Sequence, residues 1–365
     1  MGKLKMTRLI IDTKKIEENI KIVKKYAKDS KIYWVLKGNA YGMGAVETAR
    51  VLLKNSESSF AVSRIEEAVE LRQNGIDSEI LVMCSTSVEQ EIQTLIDNHL
   101  TATVGSLGAM LALDGALRRD GVTLNAHIAL DTGIGRYGFL PSDINDLTAA
   151  VLNLTNLKIT GIFTHLSTAF GKKAYSQKQF DVFNQMVEFL KNSGIEIPCK
   201  HILNSNGLFR FDDMRLDAVR VGSVLTGRVL KGKGLSPVGT LECTIQEIKN
   251  LDSGCNVGYG NAFKLKKNAT IAVVPVGTSD GIGLEKAKGL FRFIDKLRYV
   301  KSDLLLSKKS RISCKINDKK VYILARPFMT SLVLDVTDIP CKAGDKCYFN
   351  VNPMFINSSV ERDYI

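Results

Sequence analysis

The alternation of short apolar runs with amphipathic segments, from residue 8 to about residue 228, constrains the fold most strongly. The short runs have β-strand character, whereas the segments between them repeat their apolar residues with helical periodicity. The strand-like runs lie at residues 32–36, 60–62, 79–83, 101–104, 125–130, 157–163, 201–203 and 218–221. Eight strands that alternate with helices and close into a barrel occupy a length of this order. We therefore predict an eight-stranded α/β barrel.

The pattern changes after Pro237, where strand-like runs follow one another with few helical segments between them. These runs lie at residues 238–251, 268–276, 311–316, 320–325, 332–336 and 346–351. A second, mostly antiparallel β domain is therefore expected. We place the barrel over residues 1–236 and the C-terminal β domain over residues 237–365.

Composition and charge exclude several classes of protein. The net charge is +12, but the lysines are spread along the chain in short groups, which is typical of a solvated surface rather than of a nucleic-acid site. The sequence contains no apolar stretch long enough to span a bilayer, and we expect a soluble, cytoplasmic chain. The seven cysteines show no CxxC spacing, so we predict reduced thiols and no metal site.

Lys37 is the most informative single residue. It ends the apolar run at residues 32–36 and opens a loop of turn formers, GNAYGMG, at residues 38–44. Ligands of barrel enzymes bind beyond the carboxyl ends of the strands, and a desolvated lysine there can serve as a Schiff-base amine or as a general base. The alternative is a surface lysine that pairs with a carboxylate.

Two further barrel strands end in residues that could bind a substrate or a cofactor. Residues 131–138 read DTGIGRYG, in which Arg136 could bind a carboxylate; taken alone, this segment could be only a turn. Residues 164–167 read THLS, which places His165 at another strand end. A histidine buried in the core is the alternative for His165.

Two more strand ends and one segment of the β domain complete the set. Residues 201–207 read HILNSNG, and the hydroxyl of Ser205 with nearby backbone N–H groups could hold a phosphate or only cap a helix. Residues 220–223 read RVGS, where the last barrel strands build phosphate sites. Tyr259 stands between two glycines, which is also typical of a hairpin turn. Together, the strand ends indicate a phosphate-bearing cofactor bound covalently to lysine, a description that pyridoxal phosphate fits.

The order and spacing of these motifs resemble the alanine racemase family, barrel enzymes that use pyridoxal 5'-phosphate to invert small amino acids. The segment VLKGNAYGMG at residues 35–44 is similar to the family's cofactor-lysine motif, and the match covers nearly the whole chain. The resemblance implies a homodimer, arranged head to tail, whose active sites combine both subunits. It also implies two bases: Lys37, which carries the cofactor and serves the D enantiomer, and Tyr259 of the partner subunit, which serves the L enantiomer.

The resemblance assigns further roles around the cofactor and the substrate. Arg220 would contact the pyridine nitrogen, His201 would orient Arg220, and His165 would pack beside the cofactor. The cofactor, chiefly its phosphate, would be held by Tyr41, Asn204, Ser205, Gly222 and Ser223. The substrate carboxylate would be bound by Arg136 and by the backbone of Met329 from the other subunit.

The chain departs from the family pattern at four positions. Ala129 replaces a lysine that is often carbamylated, so another group, such as a bound anion, would have to position Arg136. Thr330 replaces an acidic residue. Thr278 and Asn350 replace two tyrosines that narrow the entrance, which predicts a larger pocket with a partner for a hydroxyl.

These departures resemble the soluble racemase domain of the membrane-bound serine racemases of vancomycin resistance. Serine is therefore the predicted substrate, with alanine as a second. Because those proteins carry an N-terminal membrane domain, this chain would correspond to their soluble part. Three alternatives remain: a housekeeping alanine racemase, a non-catalytic pyridoxal-phosphate carrier, and a barrel-type amino-acid decarboxylase. The β domain and Tyr259 argue against the carrier, and the absence of a Cys-Asp pair argues against the decarboxylase.

Overall fold

The computed structural model describes residues 6–284, Leu297 and residues 312–365. The chain divides into two compact units. One is the continuous segment Lys14–Ser236, and the other joins Met1–Thr13 to Pro237–Ile365. The first strand, β1 (Thr7–Ile11), thus belongs to the same unit as the C-terminal strands.

Eight strands close into a barrel in the segment Lys14–Ser236, and their neighbours pair in parallel. The strands are β2 (Lys31–Val35), β3 (Ser59–Val62), β4 (Glu79–Ser85), β5 (Thr101–Val104), β6 (Leu124–Ala129), β7 (Leu157–Phe163), β8 (Cys199–His201) and β9 (Ala218–Val221). The prediction of an eight-stranded α/β barrel is confirmed.

Helices alternate with these strands. They are α1 (Thr13–Ala27), α2 (Lys37–Tyr41), α3 (Ala45–Lys54), α4 (Ile65–Gln73), α5 (Glu89–Asp97), α6 (Leu107–Asp120), α7 (Ile144–Leu152), α8 (Lys173–Asn192) and α9 (Ser205–Leu208). In the long α1, the buried residues recur with helical spacing at Ile16, Ile20 and Val23, which explains why this stretch folds as an amphipathic helix.

Buried side chains of β2, β3, β4 and β9 pack against one another. Tyr33, Val35, Ala61, Leu81 and Ala218 form one buried cluster. Strands β5 and β9 are buried along their whole length, as expected for parallel strands covered on both faces. Side chains that follow the carboxyl ends of the strands therefore stand on a rigid support.

The described residues of the second unit form three sheets. Its remaining strands are β10 (Gly239–Thr244), β11 (Glu247–Leu251), β12 (Asn256–Val257), β13 (Phe263–Lys264), β14 (Ala269–Val274), β15 (Ser313–Ile316), β16 (Lys319–Tyr322), β17 (Leu332–Asp335), β18 (Lys346–Asn350) and β19 (Arg362–Tyr364). The sheets have the orders β16-β15-β18-β10-β1-β19, β11-β14-β17 and β12-β13. All described pairs are antiparallel except β1 with β19, and the prediction of a mostly β C-terminal domain is confirmed.

Strand β1 groups with the C-terminal strands, whereas our predicted barrel domain covers residues 1–236. Strand β1 pairs antiparallel with β10, where Leu9 faces Leu241, and parallel with β19, where Leu9 faces Arg362. The local pattern of residues 7–11 looks like any other apolar strand, and its partners lie more than 200 residues away. The sequence therefore shows that a strand exists but not which sheet receives it. Of the predicted run 311–316, Arg311 lies outside the described residues.

Among the described residues, no helix combines the length and the apolar character needed to cross a bilayer.

Candidate active site

Lys37 opens a short left-handed helical turn. Strand β2 ends at Val35, and residues 38–41 have φ values of 62°, 52°, 51° and 56°. Gly38 tolerates this conformation, but Asn39, Ala40 and Tyr41 are L residues for which it costs roughly 1–2 kcal/mol each. Contacts from the surrounding structure must therefore hold the turn.

Two side chains bind the backbone of this turn. The backbone N–H of Gly38 donates to Glu67 Oε1 at 2.6 Å. The backbone N–H of Ala45, at the start of α3, donates to Asn39 Oδ1, also at 2.6 Å. The turn is thus fixed to α4 through Glu67 and to α3 through its own asparagine.

The amine of Lys37 lies in an environment that disfavours its charge. Burial lowers the pKa of Lys37, and the positive charges of Arg136 and Arg220 lower it further, against the opposing effect of Glu67. The share of neutral amine at neutral pH is therefore larger than for an ordinary surface lysine. A neutral amine is what both a nucleophile and a general base require.

Arg220 is buried in β9 and is bound on several sides. Its Nη1 donates to His201 Nδ1 at 2.5 Å, and its Nη2 donates to the carbonyl oxygen of Thr164 at 2.6 Å. His165 Nδ1 lies 3.4 Å from Nη2, and the guanidinium carbon lies 4.6 Å from the ring centre of Phe163. Burial lowers the pKa of Arg220 to about 9, so the guanidinium stays charged at neutral pH.

The contact with Arg220 determines the tautomer of two buried histidines. Because a guanidinium only donates, His201 Nδ1 accepts and its proton lies on Nε2. Nε2 is 2.9 Å from His127 Nδ1, which must then accept. Burial lowers the pKa of His127 to about 4 and that of His201 well below its usual value, so both rings are neutral. The result is a directed chain from Arg220 through His201 to His127.

Four neutral hydrogen-bond donors lie after the ends of β8 and β9 and in the Lys37 turn. They are the hydroxyls of Ser205 and Tyr41 and the backbone N–H groups of Gly222 and Ser223. The N–H of Gly222 donates to Ser205 Oγ at 3.2 Å, and the backbone of Ser223 hydrogen-bonds the hydroxyl of Tyr41. A Cβ on Gly222 would overlap the Tyr41 ring and the Val35 carbonyl oxygen. These hydroxyl and backbone N–H groups have the chemistry that a phosphate needs, and Asn204 caps the adjacent helix α9 through its side chain. The residues present therefore fit a phosphate-bearing cofactor.

Arg136 stands on a loop that is organised by one carboxylate. The side chain of Asp131 accepts hydrogen bonds from the backbone N–H groups of residues 133, 134, 135 and 136, at 2.9 to 3.1 Å. The guanidinium carbon of Arg136 lies 5.6 Å from the ring centre of Tyr137. Ala129, at the end of β6, is buried. In the described structure, Asp131 therefore shapes the backbone that presents Arg136.

We expect Asp131→Asn to destabilise the chain by about 1.5–3 kcal/mol at pH 7, because it removes the charge that these four N–H groups bind. Burial raises the pKa of Asp131, but the four N–H groups together lower it more, so its folded pKa lies below the usual value. The stabilisation is thus complete above about pH 4 and is lost as the pH falls through the folded pKa. Urea midpoints measured from pH 7 downward test this.

The variant Asp146→Asn, which removes an exposed carboxylate, provides the control for the Asp131 substitution. A difference in urea midpoint between wild type and Asp131→Asn that stays constant with pH would contradict the expected role of the carboxylate charge.

Of the four site residues predicted in the second unit, three line the same cavity and Met329 does not. Tyr259, Thr278 and Asn350 line one open cavity of about 1230 Å³. Tyr259 is 83% exposed and Met329 is 72% exposed. Met329 is fixed through its backbone, since its carbonyl oxygen accepts from the hydroxyl of Ser279 at 2.7 Å.

The sequence did not predict the contacts that three further residues make near Lys37, Arg136 and Arg220. Glu67 lies inside an ordinary helical pattern, His127 within an apolar strand, and Asp131 within a motif that drew attention to Arg136. A carboxylate three positions after a turn, as at Glu67, indicates only a helix start. Their contacts arise from tertiary structure, which periodicity does not report.

The chain matches two models of known families. Residues 11–229 match the N-terminal domain of alanine racemase, and residues 238–352 match its C-terminal domain. An alanine racemase of Clostridium tetani is 37% identical over 74% of this chain and 72% of its own length. Alanine racemase 1 of Clostridium acetobutylicum is 33% identical over 92% of this chain and 83% of its own length.

Solved structures agree with these matches. The alanine racemase of Clostridium difficile 630 has a TM-score of 0.86 and 27% identity, with 100% of this chain and 97% of that chain covered. The family models cover both units, and the relatives described above are alanine racemases. The chain therefore belongs to the alanine racemase family of pyridoxal 5'-phosphate-dependent amino-acid racemases.

Proposed function

We propose that this chain racemises a small amino acid with two bases, with serine as the preferred substrate and alanine as a second. The observation that carries the proposal is Lys37, which directly follows the end of a barrel strand and whose pKa is lowered by burial and by the charges of Arg136 and Arg220. Such an amine can bind a carbonyl group covalently and can also accept a proton.

When bound, pyridoxal phosphate supplies an electron sink that acidifies the Cα–H bond of the substrate. Lys37 Nζ would take or return the proton on one face, and the hydroxyl of Tyr259 on the other. Inversion needs a base on each face, because the proton leaves one side and returns from the opposite side. Lys37 must be neutral to accept a proton, and burial together with the nearby cations favours its neutral form by lowering its pKa.

The remaining residues would bind and orient. Tyr41, Asn204, Ser205, Gly222 and Ser223 would hold the phosphate end. The hydrogen bonds of Gly222 to Ser205 and of Ser223 to Tyr41, and the capping of α9 by Asn204, support this role. The charged Arg220 would face the ring nitrogen and disfavour a proton there, with His201 fixing its orientation and His165 beside it. Burial lowers the pKa of His165 to about 3, so that ring adds no further charge.

We also propose a homodimer whose active sites are shared between subunits. In this proposal Tyr259 and Met329 act in the partner's active site, and Arg136 binds the substrate carboxylate. The high exposure of Tyr259 and Met329 supports such a role, because a residue that acts on a partner must be accessible on its own unit.

Serine is proposed because Thr278 and Asn350 stand where the family carries larger tyrosines. Both line the same cavity as Tyr259. A serine hydroxyl buried without a partner costs about 1–3 kcal/mol, and an asparagine amide can provide that partner. The D-serine formed would serve peptidoglycan precursors, as in vancomycin resistance. The names of the relatives favour the second candidate, a housekeeping alanine racemase.

We expect the purified protein to form D-serine from L-serine, and Asn350→Tyr to lower serine turnover more than alanine turnover. Because the variant loses a hydrogen bond to the serine hydroxyl, we expect its turnover of serine to fall roughly 10-fold or more beyond its turnover of alanine. Chiral chromatography of both products measures it. Asn250→Tyr, which adds a tyrosine at an exposed position of β11, is the matched control.

Other outcomes would point elsewhere. Activity confined to alanine would leave the housekeeping alanine racemase, and an equal loss on both substrates would remove Asn350 from specificity. Cofactor binding without turnover would favour the carrier, and carbon dioxide released from a basic amino acid would favour the decarboxylase.

A further inference from the structure

We propose that Glu67 is a positioning residue for Lys37: it fixes the left-handed turn that carries the amine and offsets the two arginines acting on it. This inference deepens the proposed function, on which it rests for the role of Lys37. It concerns a residue of α4 that lies next to the turn and not among the groups assigned above to substrate or cofactor.

The carboxylate of Glu67 accepts hydrogen bonds from three backbone N–H groups. Glu67 Oε1 accepts from the backbone N–H of Gly38 at 2.6 Å. Oε2 accepts from the backbone N–H groups of Ser63 and Arg64, at 3.0 and 3.1 Å. One side chain therefore joins the segment that follows β2 to the segment that follows β3. It binds the residue directly after Lys37, so its position is transmitted to the lysine backbone.

The left-handed turn after Lys37 has an unfavourable conformational free energy. Asn39, Ala40 and Tyr41 all adopt left-handed backbone angles, each disfavoured by roughly 1–2 kcal/mol. Such a conformation persists only where its surroundings hold it. Asn39 holds the side toward α3, and the Ser223 backbone holds Tyr41. Glu67 holds the first residue of the turn.

Charges of both signs act on the amine of Lys37. Arg136 and Arg220 act on Lys37 as cations, and Glu67 acts on it as an anion. His165 also faces this group, but its low pKa keeps it neutral. Removal of the Glu67 charge therefore leaves the amine opposite two cations, and its neutral form becomes more favourable still.

The test compares Glu67→Gln with Glu66→Gln, which removes the same charge from the neighbouring exposed residue of α4. The full-length protein, freed of cofactor, is treated with acetic anhydride, and acetylation of Lys37 is followed by peptide mass spectrometry. We expect Lys37 to react several-fold faster in Glu67→Gln than in Glu66→Gln at pH 7. At about pH 11 the two rates should converge, because both amines are then neutral.

Equal rates at pH 7 would overturn the electrostatic role, and a difference that persists at high pH would show only a more accessible lysine. Glu67→Ala tests the anchoring role, since the glutamine variant keeps an oxygen that can accept from Gly38. We expect Glu67→Ala to unfold at a lower temperature and to release pyridoxal phosphate faster than Glu67→Gln. Equal behaviour of these two variants would overturn the anchoring role.

The labelling test does not depend on racemisation. If the protein fails to invert any amino acid but Lys37 labelling responds to Glu67 as expected, the proposed function is wrong and the positioning role stands. If racemisation is found, but Glu67→Gln behaves like Glu66→Gln and Glu67→Ala behaves like Glu67→Gln, the positioning role is wrong and the proposed function stands.

Discussion

Substitution of Lys37 by alanine is expected to abolish covalent attachment of pyridoxal phosphate and to lower racemisation by roughly 10³-fold or more. The loss is large because the variant lacks both the amine that binds the cofactor and one of the two proposed bases. Borohydride reduction followed by peptide mass spectrometry would locate the cofactor in the wild type and show its absence from the variant.

The control is Lys31→Ala, which removes an exposed ammonium group at the opposite end of the same strand, where it pairs with Glu79. That variant should keep the cofactor and its activity. A cofactor adduct on another lysine, or equal activity in the two variants, would contradict the assignment of Lys37.

The same variant can test whether active sites are shared. Tyr259→Phe should also racemise poorly, yet it should still exchange the Cα proton of the D enantiomer with deuterated solvent through Lys37. Mixing Lys37→Ala with Tyr259→Phe should restore activity in proportion to the share of mixed dimers. Mixing Lys37→Ala with Lys37→Arg should restore none, and a failure of the first mixture would argue against shared sites.

Gly222→Ala is expected to destabilise the chain by about 1–3 kcal/mol and to weaken the binding of pyridoxal phosphate. Gly222 does not have a positive φ, and the expected effect arises from the space that a Cβ would need. The new methyl group would press on the Val35 carbonyl oxygen and on the Tyr41 ring, both next to the Lys37 turn. Thermal unfolding and a cofactor titration measure the two effects.

Gly115→Ala provides the matched control. Gly115 lies in α6, where an added Cβ meets no atom within 4 Å, and alanine favours a helix by about 0.5–1 kcal/mol over glycine. We expect that variant to be at least as stable as the wild type. If Gly222→Ala matched it in stability and in cofactor affinity, the proposed phosphate site would need revision.

The barrel could be predicted because its signals are local. Buried parallel strands read as short apolar runs, and the polar residues that follow them, such as Lys37 and Arg136, stand out against that background. The proximity of Lys37, Arg136 and Arg220 follows from the fold itself, since the carboxyl ends of all barrel strands meet at one face.

Other features could not be read from the sequence for physical reasons. Nothing in Asn39-Ala40-Tyr41 predicts a left-handed turn, because L residues rarely adopt it and its stability depends on contacts such as those of Glu67 and Ser223. The hydrogen bond between His127 and His201 joins β6 to β8, strands that are not neighbours. Such contacts depend on how the barrel closes.

Strand β1 has a consequence for the order of folding during synthesis. It is synthesised before the barrel segment, yet its partners in the six-stranded sheet, β10 and β19, are synthesised after that segment. The continuous segment Lys14–Ser236 can fold as soon as it emerges from the ribosome. The sheet can close only after β19 has emerged, so we expect the barrel to fold before the sheet closes.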